Sequence, residues 1–191
     1  MKLLEDKIRQ DGVVIGDDIL KVDSFLNHQI DPALLDEMAK EWHRIFRDEN
    51  VDKILTIEAS GIAMAVFVAK EFNCPLLFAK KSKTRNLGSA DTYSTKVESF
   101  THGVTYDVQV NKKYLNEGEN VLIIDDFLAR GEALNGLIDL CNQAGANVVG
   151  CGVGVEKAFQ PGGNNLRNKG YKVASLARVK SMNEQNGIEF A

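Results

Sequence analysis

About two-thirds of the way along the chain, four consecutive apolar residues, Val121-Leu122-Ile123-Ile124, run straight into Asp125 and Asp126. An unbroken run of β-branched and leucine residues suits a central strand buried on both faces. That strand type belongs to parallel sheets covered by helices on either side. The loop Ala129-Arg130-Gly131-Glu132-Ala133 then leads into an apolar helical pattern that ends at Gly145. A bare Asp-Asp after a strand is usually an acidic turn, so its meaning depends on the rest of the chain.

The flanking segments repeat the strand–helix rhythm. Asp31 and Pro32 supply an N-cap and a first-turn proline. Leu34, Leu35, Met38, Trp42, Ile45 and Phe46 follow at helical spacing. Residues 54–57 read as a strand, 59–61 as a turn, 62–71 as a helix and 76–79 as the next strand. This βαβ order predicts a twisted, mostly parallel α/β sheet with right-handed crossovers. Residues 148–155 and 171–179 give the last strands, with Pro161-Gly162-Gly163 as a loop between them. Residues 19–22 form a short strand in an N-terminal addition, about 1–30, packed on the sheet as a hood. From about 80 to 116 the rhythm breaks. A basic stretch leads into two alternating segments, 93–101 and 105–110, joined at His102-Gly103, which reads as a mobile hairpin inserted between sheet strands. Without repeats or an obvious linker, 1–191 reads as a single domain.

Bulk properties narrow the function. The 191 residues are 44% hydrophobic and 26% charged, enough for a full core. A formal charge of -4 disfavours nucleic-acid binding by bulk electrostatics. Cys74, Cys141 and Cys151 are odd in number and lack CxxC spacing, which argues for buried thiols rather than disulfides or zinc. The acidic N-terminus and the lack of a run of ~20 apolar residues predict a cytoplasmic protein without a membrane segment.

The chemistry then follows from position. N–H groups at a helix start, with a glycine permitting a tight cradle, bind phosphate. Two carboxylates just before them can accept hydrogen bonds from a diol, and a ribose 5′-phosphate supplies both partners. A P-loop would need GxxxxGK[ST], which does not occur. A dinucleotide fold needs GxGxxG after its first strand, whereas Gly150-Cys151-Gly152-Val153-Gly154 lies in a late strand. A phosphate-accepting receiver domain carries its acids near its start.

The segment 121–133, VLIIDDFLARGEA, resembles the 5-phosphoribosyl-1-pyrophosphate (PRPP) motif of type I phosphoribosyltransferases. Glu58-Ala59-Ser60-Gly61 resembles that family's pyrophosphate loop, and residues 78–83 resemble its basic segment. With residues 20–27 and 156–162 the likeness covers nearly the whole chain and is greatest to bacterial xanthine phosphoribosyltransferases. The resemblance implies the type I fold and formation of xanthosine 5′-monophosphate (XMP) and pyrophosphate from xanthine and PRPP in purine salvage. Mg²⁺ would be held by PRPP oxygens rather than by a protein cage, and a homodimer is expected. Asp125 and Asp126 would hold the ribose hydroxyls and favour developing positive charge. Ala129, Arg130, Gly131, Glu132 and Ala133 would cradle the 5′-phosphate. Leu20, Asn27 and Lys157 would read the base, Lys157 by donating to a 6-oxo group. Lys80, Lys81, Lys83, Ala59 and Ser60 are candidates for pyrophosphate. Phe127 and Phe159 could stack on the ring, although core phenylalanines are commoner. The phosphate loop lacks the hydroxyl residues of many relatives, so Glu132 is expected to point outward with only its N–H serving. Alternatives are another oxopurine transferase, for hypoxanthine or guanine, or a PRPP-sensing regulator. The regulators carry a DNA-binding segment before the fold, for which neither the charge nor the early helix at Pro32 leaves scope.

Overall fold

The computed structural model describes residues 1–82, 90–99 and 104–191. The chain opens on α1 (Lys2–Asp11), which buries Leu4 and Ile8, one turn apart on a single face. Strands β1 (Val13–Ile15) and β2 (Ile19–Lys21) pair as an antiparallel ribbon, and a π-helical turn, Asp23–Asn27, follows. Helix α2 (Pro32–Ile45) begins as its sequence predicts. The Asp31 carboxylate accepts from the N–H groups of Ala33 (3.1 Å) and Leu34 (3.2 Å).

Next come β3 (Lys53–Ile57), α3 (Ser60–Phe72), β4 (Leu76–Ser82), β5 (Thr92–Ser99), β6 (Val104–Asn111), β7 (Asn120–Leu128) and α4 (Glu132–Ala144). The chain ends with β8 (Asn147–Lys157), α5 (Gly162–Asn168), β9 (Val173–Asn183) and β10 (Gly187–Phe190). Among the described residues eight strands form one sheet in the order β10-β9-β8-β7-β3-β4-β6-β5. The middle five are parallel, while β10, β6 and β5 pair antiparallel to their neighbours. This is the mostly parallel α/β sheet expected of the sequence. The α1, α2 and α3 side chains join one core on one face of the sheet, and α4 with Leu166 of α5 joins the other.

The glycine run in β8 makes room for helix packing. A Cβ at Gly150 would overlap the Phe46 ring, and one at Gly152 would meet Trp42 Nε1 at 2.9 Å. The Trp42 indole crosses that gap to donate to the carbonyl of Ala174 (3.1 Å). These glycines are small because α2 lies on them, not because a nucleotide does.

Three details differ from the sequence reading. Strand β7 runs on to Leu128, so both acids lie within it, at its sixth and seventh residues, rather than beyond it. Gly162 and Gly163, read as loop with Pro161, open the helix α5 (Gly162–Asn168). The short strands β1 and β10 were not foreseen. The joint at His102-Gly103 lies outside the described residues. Among the described residues no helix is long and apolar enough to cross a membrane.

Candidate active site

The carboxyl ends of β3, β7 and β8 and the turn before β2 enclose a cavity of about 630 Å³. Its wall brings together most of the residues singled out in the sequence: Leu20, Asn27, Lys81, the 129–133 loop and Lys157. They come from five separate segments, and the parallel sheet assembles them.

Asp125 and Asp126 do not line this cavity themselves; they are buried in β7, 3% and 8% exposed, directly before its lining residues Phe127 and Leu128. Successive strand residues face opposite sides, so the two carboxylates are not equivalent. Asp125 Oδ1 accepts from the Asp126 N–H (3.1 Å) and stands beside Gly61, whose absent Cβ would come within 3.4 Å of it. A Cβ there would overlap Thr56 Oγ1 of β3 at 2.2 Å, so its absence lets the 58–61 turn approach the sheet. Burial, and then the charge of Asp126, push the Asp125 carboxyl well above the usual range. Asp126 accepts from the Phe127 N–H (3.0 Å) and from Asn27 Nδ2 (3.2 Å).

The phosphate-loop candidates form the entry to α4. Gly131 is its N-cap at φ 90°, a conformation that favours glycine, and no side chain caps the helix. The first-turn N–H groups of a helix lack intrahelical partners, and here the residues bearing them line the cavity. Glu132 and Arg130 are exposed, and both line the cavity. Gly162 supports the loop from behind, donating its N–H to the carbonyl of Ala129 (3.0 Å). A Cβ there would meet the backbone of Ala129, Arg130 and Gly131.

At the other end Leu20, 6% exposed, gives an apolar wall. The Asn27 amide is oriented by its bond to Asp126, and its Oδ1 is buried with no hydrogen-bond partner among the described residues. Lys157 ends β8 and donates to the carbonyl of Asp18, whose carboxylate accepts from Gln160 Nε2 (2.7 Å). Asp18 and Gln160 line the cavity but were missed in the sequence, where a turn aspartate and a loop glutamine carry no signal. Val97 of β5 and Tyr106 of β6 also line it.

The lysine cluster divides. Lys81 lines the cavity, its backbone N–H bonded to Glu58 Oε1 (2.6 Å), while Lys80 lines a separate cavity of about 660 Å³ with Phe78 and Tyr114. Strand alternation forces this split. Ala59 and Ser60 form the turn into α3, with a cis peptide between Glu58 and Ala59. Lys83 lies outside the described residues. Phe127 lines the cavity, whereas Phe159 is 44% exposed and does not.

A buried acid pair followed by an uncapped helix start at one strand end is the arrangement expected of a phosphoribosyltransferase. The pattern of the phosphoribosyl transferase domain matches residues 21–172, so the chain belongs to that family. Within it the chain stands with the xanthine phosphoribosyltransferases. The protein of that name from Ruminiclostridium cellulolyticum is 56% identical over 187 residues, 98% of this chain and 97% of its own. That from Bifidobacterium adolescentis is 55% identical over 192 residues, covering 100% and 99%. Two solved adenine phosphoribosyltransferases share the fold. The Giardia lamblia protein complexed with 9-deazaadenine gives a TM-score of 0.76 at 22% identity, over 92% of this chain and 97% of that one. The Rhodothermus marinus protein gives 0.74 at 20%, over 94% and 100%.

Proposed function

We propose that this protein is a pentosyltransferase that converts xanthine and PRPP to XMP and pyrophosphate, serving purine salvage. The observation that carries the reading is a single cavity that joins the uncapped start of α4 to Lys157, lined from Phe127 onward by the segment that directly follows the buried Asp125–Asp126 pair. The relatives at 51–56% identity, named xanthine phosphoribosyltransferase, support the choice of base.

Ribosyl transfer passes through an oxocarbenium-like state, so positioning and charge stabilisation matter more than a protein nucleophile. Asp125 and Asp126 accept from the ribose hydroxyls and favour the positive charge that develops on the ring. The N–H groups of residues 129–133 hold the 5′-phosphate, and Lys81 with the 58–60 turn faces the departing pyrophosphate. Lys157 donates to the 6-oxo group, where adenine offers no acceptor. Xanthine carries one more ring N–H than hypoxanthine, and the unpartnered Asn27 Oδ1 favours a base that brings a donor.

Two buried carboxylates suit Mg²⁺, which takes one or two from a protein when substrate phosphates supply the rest. Among the described residues no three acidic, histidine or cysteine side chains cluster to hold a metal by themselves. Mg²⁺ bound to PRPP would supply charge neutralisation at the pyrophosphate.

The same reading makes residues 1–30 a hood over the base within a single domain and sets the β5–β6 hairpin beside the site, while the rest of the loop expected over 80–116, residues 83–89 and 100–103, lies outside the described residues. It makes the protein a cytoplasmic homodimer, with the exposed Val66, Phe78 and Tyr114 available for a second copy.

The test is product formation from PRPP–Mg²⁺ with xanthine, guanine, hypoxanthine and adenine in turn. Xanthine is expected to give the highest kcat/KM and adenine the lowest. A preference for guanine or hypoxanthine would move the protein to the other oxopurine transferases. No turnover with any base would remove the enzymatic reading.

A further inference from the structure

We propose that Asp18, in the turn between β1 and β2, is the positioning residue that aims Lys157 at the purine. This rests on the reading of Lys157 as the donor to the base. A lysine at a strand end has four rotatable stem bonds and loses on the order of 2 kcal/mol of rotamer entropy when fixed. Left alone at a cavity rim, its ammonium would turn to solvent. Here the Lys157 side chain is only 14% exposed, and its ammonium donates to the Asp18 carbonyl with the Asp18 carboxylate 3.7 Å away. An ammonium has three donors, so two remain for a ligand.

The turn is itself held from both sides. Gln160 Nε2 donates to Asp18 Oδ1 (2.7 Å), and the Gln160 N–H bonds the carbonyl of Lys157 (2.9 Å). Both residues therefore reach Asp18 from one tight turn at the end of β8. On the other side the Gly16 N–H donates to Glu184 Oε1 (2.7 Å). Leu20, the apolar wall, follows two residues after Asp18. Asp18 thus fixes the distance between the wall and the donor, which are two boundaries of the space left for a base. Its side chain is 63% exposed, so the ion pair adds little to stability. Its contribution is to geometry.

The experiment is steady-state kinetics of the full chain with xanthine and PRPP, alongside thermal unfolding, for wild type, Asp18→Ala and Asp18→Asn. Asp18→Ala frees the Gln160 link and is expected to raise KM for xanthine about five-fold. KM for PRPP and Tm stay unchanged. Asp18→Asn keeps an acceptor for Gln160 and recovers most of the loss. Adenine, which has no 6-oxo group, is affected less than xanthine, so discrimination between them narrows. An unchanged KM for xanthine in Asp18→Ala overturns the assignment. So does a joint rise in both KM values with a lower Tm, the mark of general loosening. Failure of the wild type to use xanthine would sink the proposed function, and this inference with it. Normal wild-type turnover with an unaffected Asp18→Ala sinks this inference alone.

Discussion

Asp125 sits almost wholly out of solvent, 3% exposed, and beside a second carboxylate. Burial first, then the charge of Asp126, raise its folded-state carboxyl above the usual 3.8, and the charge of Lys81 offsets only part of that. A raised acid holds its proton more tightly when folded. Stability therefore falls as pH rises from about 3.8 through the folded value. Asp125→Asn removes that loss together with the charge that favours the oxocarbenium-like state. The variant is expected to melt ~3 °C higher than wild type at pH 7, about 1 kcal/mol for a chain of this size. Its turnover should fall ~100-fold or more. The Tm advantage should vanish on acidification below pH 4. A variant that is both less stable and fully active would show that Asp125 is an ordinary strand residue.

Elements meet at Glu156, next in sequence to Lys157. Its carboxylate, 1% exposed, accepts two bonds from Arg167 of α5 (2.8 and 2.7 Å) and one each from Ser175 (2.5 Å) and Arg178 (3.2 Å) of β9. Burial alone would raise this carboxyl, but the bonds from Arg167 and Ser175 and the two arginine charges outweigh it and hold it below 4.5. A lowered acid stabilises the fold above its unfolded value, and that stability is lost as pH falls through the folded one. Glu156→Gln is expected to cost about 2 kcal/mol, since both arginines are partly exposed, or ~4–8 °C in Tm. The gap to wild type should close as pH drops below 4.5, and a gap independent of pH would refute the electrostatic account. The same contact explains why α5 was not legible in the sequence. Gly162, Gly163, Asn164 and Asn165 are poor helix formers. Gly163 is needed because any Cβ would strike the Glu156 carboxylate, and Gly162 because the backbone of Ala129, Arg130 and Gly131 lies against it. By contrast α2 and α4 carry their own signals, Asp31-Pro32 at one start and Gly145 at the other end.

Across the whole molecule the legible part of the site is the part encoded locally. The 121–133 segment carries strand, acids and the glycine-bearing loop in thirteen residues, and its unbroken apolar run into two acids exposes it. Asp18 and Gln160 stand 142 positions apart, and only the folded sheet makes them neighbours. Lys80 and Lys81 look alike in the sequence, and only strand pairing assigns them to different cavities. A site assembled from β2, the 23–27 turn, β3, β4, β7 and β8 couples ligand binding to the stability of the entire sheet. PRPP with Mg²⁺ at 100 times its Kd should add about 2.7 kcal/mol, which for this length raises Tm by ~5–11 °C. Because the metal is assigned to PRPP oxygens with two buried carboxylates nearby, excess EDTA should abolish most of that shift. EDTA alone should leave the ligand-free Tm where it is, since the described residues hold no three-ligand cluster. Equal stabilisation by PRPP with and without Mg²⁺ would remove the metal from the scheme. A fall in the ligand-free Tm on chelation would instead point to a metal held by the protein itself.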